Sequence, residues 1–149
     1  MKKNGVFLVF VILFLLVFFY LFYEKKELKL DLFQVSFSDK VSYWVEIADT
    51  PEKMRQGLMY RKSMPKDQGM LFISPYPRIV SMWMKNTYIP LDMVFLDAHN
   101  RVICLRENTT PLDDKNIISC PYPTKLVLEL NAGEIRGKNI DLGDQLLMK

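Results

Sequence analysis

The residues best suited to chemistry gather in one stretch. Trp83-Met84-Lys85-Asn86-Thr87 is followed by Asp92, which lies in the otherwise apolar run Leu91-Asp92-Met93-Val94-Phe95-Leu96. A carboxylate in apolar surroundings needs a charged or hydrogen-bonding partner, or its pKa rises. Lys85, Asn86 and Arg61 are the candidate partners. One reading is a ligand pocket. Trp83 would form a flat apolar wall, Asn86 and Thr87 would supply hydrogen bonds, and Arg61 would clamp an anion. The other reading is a structural polar network that fixes the loop from 84 to 90. Sequence leaves both open.

Glu129 is the second feature. From 125 to 131 the leucines Leu126, Leu128 and Leu130 share one face of a strand. Val127, Glu129 and Asn131 share the other. That second face is either solvated or turned towards Asp92. In the latter case two carboxylates meet, and the pair could do acid/base work or hold a cation through oxygen ligands.

The remaining candidates are weaker. The chain has nine methionines, including Met54, Met59, Met64, Met70, Met82, Met84 and Met93. Thioethers can hold copper(I), but this spacing is irregular and reads as adaptable core filler. Cys104 and Cys120 are the two cysteines. In an exported domain a disulfide between them would pin a long loop and add roughly 3 kcal/mol. As a catalytic thiol, Cys104 has no obvious base, because His99 sits in a turn. Asn108-Thr109-Thr110 matches a glycosylation sequon, a pattern common by chance. The glycines show no phosphate-loop spacing.

These residues need a scaffold, and the pattern around them is mostly β. Tyr43, Val45 and Ile47 alternate with Trp44, Glu46 and Ala48, which predicts a strand. Residues 32–37 form its hairpin partner, with a turn at 38–40. Thr50 is a good helix N-cap, Pro51 suits the first helical position and Glu52 suits the positive end. That helix ends near Tyr60. Strands are expected at 70–73, 79–84, 91–96 and 101–106, with a tight turn at 97–100. Residues 107–123 read as a long loop. Further strands fall at 126–130 and 145–148, with a short turn or one-turn helix after Asn131. The run from Leu91 to Leu96 is apolar on both faces, so both faces should be covered.

The N-terminus differs in kind. Residues 6–23 form an 18-residue run without a charge, Gly or Pro, and hold eight of the 19 aromatic residues. As a helix it would extend about 27 Å, close to the thickness of a bilayer core. Lys2 and Lys3 precede it, and Glu24-Lys25-Lys26-Glu27 stops it. No small-x-small cleavage site closes the run, which favours an uncleaved anchor over a signal peptide. The expected division is a basic tail (1–5), a transmembrane anchor (6–23), a charged linker (24–29) and a domain (30–149). The domain is expected on the extracytoplasmic side, periplasmic or at the cell surface, because a short basic tail before a first apolar run resembles an export signal.

Charge narrows the partners. The whole chain carries +3, but residues 24–149 hold 18 Lys+Arg against 17 Asp+Glu, a net of +1. That balance argues against nucleic acid. A single histidine excludes multi-His metal sites, and two cysteines cannot build a zinc site alone. No metal or cofactor is expected. The expected partners are the bilayer, through 6–23, and a small molecule or peptide.

The segment from Val45 to Met148 resembles the microbial domain-of-unknown-function family 192. The pieces that carry the resemblance are Gly57-Leu58-Met59-Tyr60-Arg61, Gly69-Met70-Leu71-Phe72 and Trp83-Met84-Lys85-Asn86-Thr87. Ile89-Pro90-Leu91-Asp92, Val127-Leu128-Glu129-Leu130-Asn131-Ala132-Gly133 and a closing Gly143-Asp144 complete the set. The resemblance implies a compact, mostly β, barrel-like domain, often behind an export signal, and brings no activity with it.

The fold expected is mainly β, a small barrel-like or sandwich-like domain with one or two short helices behind an N-terminal transmembrane helix. Three functions from different classes remain. One is a binding module with Arg61, Trp83, Lys85, Asn86, Thr87, Asp92 and Glu129 as candidate ligand-binding residues. The second is a hydrolase-type enzyme using Asp92 with Glu129. The third is an interaction domain whose motif residues serve folding. The binding module ranks first, because the chain shows no nucleophile motif.

Overall fold

The computed structural model describes residues 11–15, 17, 31–37 and 40–148. Residues 11–15 and 17 are helical. The rest of the expected anchor at 6–23, and the linker at 24–29, lie outside the described residues. No helix among the described residues is long and apolar enough to cross a membrane. The chain divides into two compact units, 1–30 and 31–149.

The second unit is a curled, mainly β domain. Its elements in chain order are β1 (Leu32–Phe37), β2 (Val41–Ala48), α1 (Pro51–Gln56), β3 (Gln68–Arg78), β4 (Ser81–Met82) and β5 (Leu91–Leu96). Then come β6 (Val102–Arg106), β7 (Ile118–Ser119), β8 (Thr124–Asn131), α2 (Glu134–Gly137) and β9 (Leu146–Met148). Seven strands form one sheet in the order β6-β5-β8-β3-β2-β1-β9, and β4 pairs with β7 apart from it. The two edges of the large sheet are tied to each other. Val102 N donates to Asp144 O (2.9 Å), Leu146 N donates to Asn100 O (2.9 Å), and Arg101 bridges Gln145.

Most strands fall where alternation placed them. The expected strand at 79–84 shrinks to β4, and the expected loop at 107–123 contributes β7. β3 runs on through Pro75 and Pro77 to Arg78, with its register broken after Ile73. Proline donates no ladder hydrogen bond, which is where such a break belongs. One pairing has no sequence signature. β2 and β3 run parallel, so the chain must cross over between them, and α1 lies in that crossover. Thr50 caps α1 by accepting from Lys53 N, and Pro51 opens it. α1 ends at Gln56 rather than near Tyr60, because Gly57 turns the chain at φ +48°.

The centre of the sheet is buried on both faces. Val35, Tyr43, Val45, Leu71, Val94, Leu126, Leu128 and Leu146 pack inside the curl. Leu58, Met70, Phe72, Met84, Met93, Phe95 and Val127 pack on the opposite face. All six side chains of β5 are buried, as a strand apolar on both faces requires.

Candidate functional site

A cavity of about 420 Å³ opens on the outer face of the sheet. α1 and the turn after it supply Met54, Arg55, Gly57, Leu58 and Met59. Phe72 of β3, Met82 of β4 and the loop residues Trp83, Thr87 and Ile117 form the walls. Glu129 of β8 is the ionisable side chain of the cavity besides Arg55. The volume lies within the usual range for small-molecule sites, and the apolar walls are typical of them.

Register puts Glu129 there. On β8 it pairs with Met70 of β3 on one side and Met93 of β5 on the other. Glu46 of β2 pairs with Met70 in turn. Glu46, Met70, Glu129 and Met93 thus form a row across four strands on one face. Glu129 is 4% exposed, and no hydrogen bond joins its carboxyl to another described residue, although its oxygens keep access to the cavity. Burial pushes its pKa up to about 8, with the Arg61 charge pulling weakly the other way. Gly69 makes this packing possible. A Cβ there would stand 2.6 Å from the Glu129 carbonyl oxygen.

Arg61 is close enough to act on Glu129 but is engaged elsewhere. Its two terminal nitrogens donate to the two carboxylate oxygens of Glu46, Nη2 to Oε2 at 2.6 Å. This forked ion pair is partly buried, with side-chain exposures of 28% and 14%. The expected anion clamp is therefore an intramolecular pair.

The Trp83–Thr87 segment divides between wall and scaffold. Trp83 and Thr87 line the cavity. Trp83 is half-exposed, with the Lys85 ammonium 5.7 Å from its ring centroid. Asn86 sits at φ +54° and stitches two turns together. Its carbonyl accepts from Tyr60 N (2.8 Å), and its Nδ2 donates to Tyr60 Oη (2.8 Å). Lys85 and Asn86 are absent from the cavity lining among the described residues.

Asp92 corrects the sequence expectation most sharply. It is fully buried, but none of Lys85, Asn86 or Arg61 is its partner. Oδ1 accepts from Asn108 N and Oδ2 from Ile135 N, both at 2.9 Å. Gly133, at the N-cap of α2, has no side chain to cap it. Asp92 supplies that carboxylate from a distant strand. The expected Asp92–Glu129 pair does not form either. Asp92 pairs with Leu130, facing the inside of the curl, while Glu129 faces the cavity. The outer face of β8 is neither solvated nor turned to Asp92. It is covered by α1 and the loops that follow. The hydrolase expectation loses its paired acid and base on this point.

Two methionine classes now separate. Met70, Met84 and Met93 are core, whereas Met54, Met59 and Met82 line the cavity. Met54 and Leu58 are four residues apart, a spacing that does not reveal the cavity they line. Among the described residues no group of three or more His, Cys, Asp or Glu could hold a metal ion.

A disulfide joins Cys104 of β6 to Cys120, with Cα atoms 5.9 Å apart. Cys120 directly follows β7, and β7 pairs with β4 of the cavity wall. The bridge thereby ties the wall bearing Met82 and Ile117 to the main sheet.

Residues 34–148 match the model of the DUF192 family, described as uncharacterized ACR. The chain belongs to the DUF192 family. Two solved structures are similar to this DUF192 chain. One, from Sinorhizobium meliloti 1021, is provisionally assigned as a transcription regulator. It is 39% identical over 78% of this chain and 92% of its own, with a TM-score of 0.72. The other is a protein of unknown function from Novosphingobium aromaticivorans DSM 12444. It is 30% identical over 78% of this chain and 83% of its own, also with a TM-score of 0.72. No curated protein matches. In this DUF192 domain the segments 57–61, 69–72, 83–87 and 127–133 each send at least one residue to the cavity.

Proposed function

We propose that this DUF192 domain is a small-ligand binding module whose site is the cavity floored by Glu129. One observation carries the reading. A carboxyl that is 4% exposed, with no hydrogen bond among the described residues, faces an apolar cavity. Its oxygens are not sealed in the core, where Ser36 Oγ is the fully buried side-chain polar atom without a partner among the described residues, but open onto the cavity, so a molecule in the cavity can reach them. A ligand that hydrogen-bonds the carboxyl in the bound state uses that access. The ligand-contacting residues are Glu129, Trp83 and Thr87, with Met54, Met59, Phe72 and Met82 as apolar walls. Arg61 and Asn86 hold the surrounding turns in place, and Asp92 pins the chain on the other face of the sheet.

The same proposal sets the domain at a membrane, on its oxidising side. Two features support it: the apolar run at 6–23 and the disulfide between Cys104 and Cys120.

A thermal-shift screen of the full-length chain tests the binding reading. The panel comprises sugars, nucleotides, amino acids, amines, divalent metals and cell-wall fragments. A ligand at 100 times its Kd stabilises by about 2.7 kcal/mol, which a melt resolves. The expected result is a stabilising class whose effect disappears in Met54→Trp, where a larger side chain fills the cavity from α1. A blank across the panel overturns the reading in favour of an interaction domain.

A further inference from the structure

The floor of the cavity also selects the chemistry of its occupant, an inference that rests on the binding reading above. Glu129 is the only acidic side chain lining the cavity among the described residues. The cations around it are committed elsewhere. Arg61 is forked onto Glu46, and Lys53 of α1 pairs with Asp49. Lys85 lies over Trp83, and Arg106 of β6 donates to the carbonyls of Leu105 and Ser119. Glu52 and Arg55 of α1 are exposed, and Arg55 stands at the mouth, where water and salt screen it. The floor therefore holds an acidic group with no ion-pair partner among the described residues, and the Arg61 charge acts on it only from its fork with Glu46. The walls favour a cation as well as an apolar body. Trp83 already attracts the Lys85 ammonium, and Phe72 adds a second ring.

We propose that the cavity binds a small primary amine, with its ammonium donating to the Glu129 carboxylate and its apolar body packed between α1, Phe72 and Trp83. The size of the cavity admits a short alkyl or single-ring body. Binding is coupled to a proton. The empty site holds Glu129 protonated at neutral pH, since its pKa is about 8. An ammonium reverses that preference, so one proton leaves as the amine enters. Amine affinity then rises with pH until Glu129 is ionised in the empty protein, by roughly tenfold or more between pH 6 and pH 8.

Calorimetric titration of the full-length chain tests this. The probes are phenethylamine, which stays protonated across the range, and its neutral isostere phenethyl alcohol. Each is measured at pH 6 and pH 8 in two buffers of different ionisation enthalpy. The expected result is amine binding with release of close to one proton at pH 6 and the rise in affinity above. The alcohol binds at least tenfold more weakly and releases no proton. Glu129→Gln brings the amine down to the level of the alcohol and abolishes its proton release. Equal binding of both probes without proton release overturns the amine assignment and keeps the pocket. Alcohol binding that weakens from pH 6 to pH 8, with no amine binding, does the same and assigns a neutral hydrogen-bond acceptor instead. Failure of both probes, together with a blank thermal-shift screen, overturns the pocket as well.

Discussion

Asp92 and Glu129 stand on neighbouring strands and face opposite sides of one sheet. Asp92 pairs with Leu130 and turns into the curl, and Glu129 pairs with Met93 and turns to the cavity. The two carboxyls are both buried and are solved differently. Asp92 takes two backbone N–H bonds, whereas Glu129 takes none among the described residues. The first is part of the architecture, and the second is left for a ligand.

Asp92→Asn should destabilise the fold by roughly 2–4 kcal/mol. The amide can accept with one oxygen only, so either Asn108 N or Ile135 N loses a bond to a charged acceptor. Chemical denaturation of the full-length variant measures this. A change within 0.5 kcal/mol, the usual range of neutral surface substitutions, would contradict the pinning role.

Glu129 makes stability fall as pH rises. Its folded pKa, about 8, lies above the ordinary value of 4.5. Between these values the folded state binds more protons at Glu129 than the unfolded chain, so this group's contribution is most favourable below about pH 4.5 and is lost through pH 8. Each unit of that window is worth roughly 1.4 kcal/mol. Glu129→Gln should be more stable than the parent at pH 9 and flatter across this window. Melting curves from pH 5 to pH 9 would show a parallel parent and variant if the carboxyl were solvated.

Arg61→Ala should cost about 1–2 kcal/mol, because it leaves the partly buried Glu46 carboxylate unpaired. It should also raise the Glu129 pKa further, since Arg61 favours the charged form. Arg61→Lys keeps the charge but loses the fork, so it should retain the pKa and lose part of the stability. Carboxyl-carbon NMR titrations of Glu129 in the two variants separate these effects.

Reducing the Cys104–Cys120 bridge should lower stability by roughly 3 kcal/mol for a loop of this size. It should also loosen the wall that carries Met82 and Ile117, weakening any cavity ligand. Melting curves and ligand titrations of Cys120→Ser check both effects. Unchanged binding in a destabilised variant would show that the wall holds without the bridge.

The parts of this fold that sequence reveals are the local ones. Alternation marks β2 and β8, an apolar run marks β5, and Thr50-Pro51 marks the start of α1, because strand faces and helix caps each have a residue signature. The two-residue strands β4 and β7 have no period to detect. The parallel pairing of β2 with β3 depends on a crossover that no local pattern encodes. The site divides the same way. Alternation placed Glu129 opposite the leucines of β8, but what covers that face is decided by where α1 lands. The partners of Asp92 are backbone N–H groups, which every non-proline residue carries and no residue type announces. Trp83 is legible as a wall residue, whereas Thr87 reads as a hydrogen-bonding group and Arg61 as a clamp, because the true partner of Arg61, Glu46, comes from a strand 15 residues earlier.

The most direct test is chemical-shift mapping of the isotope-labelled full-length chain against a small fragment set that includes amines and neutral isosteres. The cavity floored by Glu129 predicts that binding fragments shift Met54, Met59, Phe72, the Trp83 indole and the Glu129 carboxyl together, and leave Asp92 and its partners still. Fragments that bind elsewhere, or a full set that leaves the Glu129 carboxyl unmoved, would contradict it.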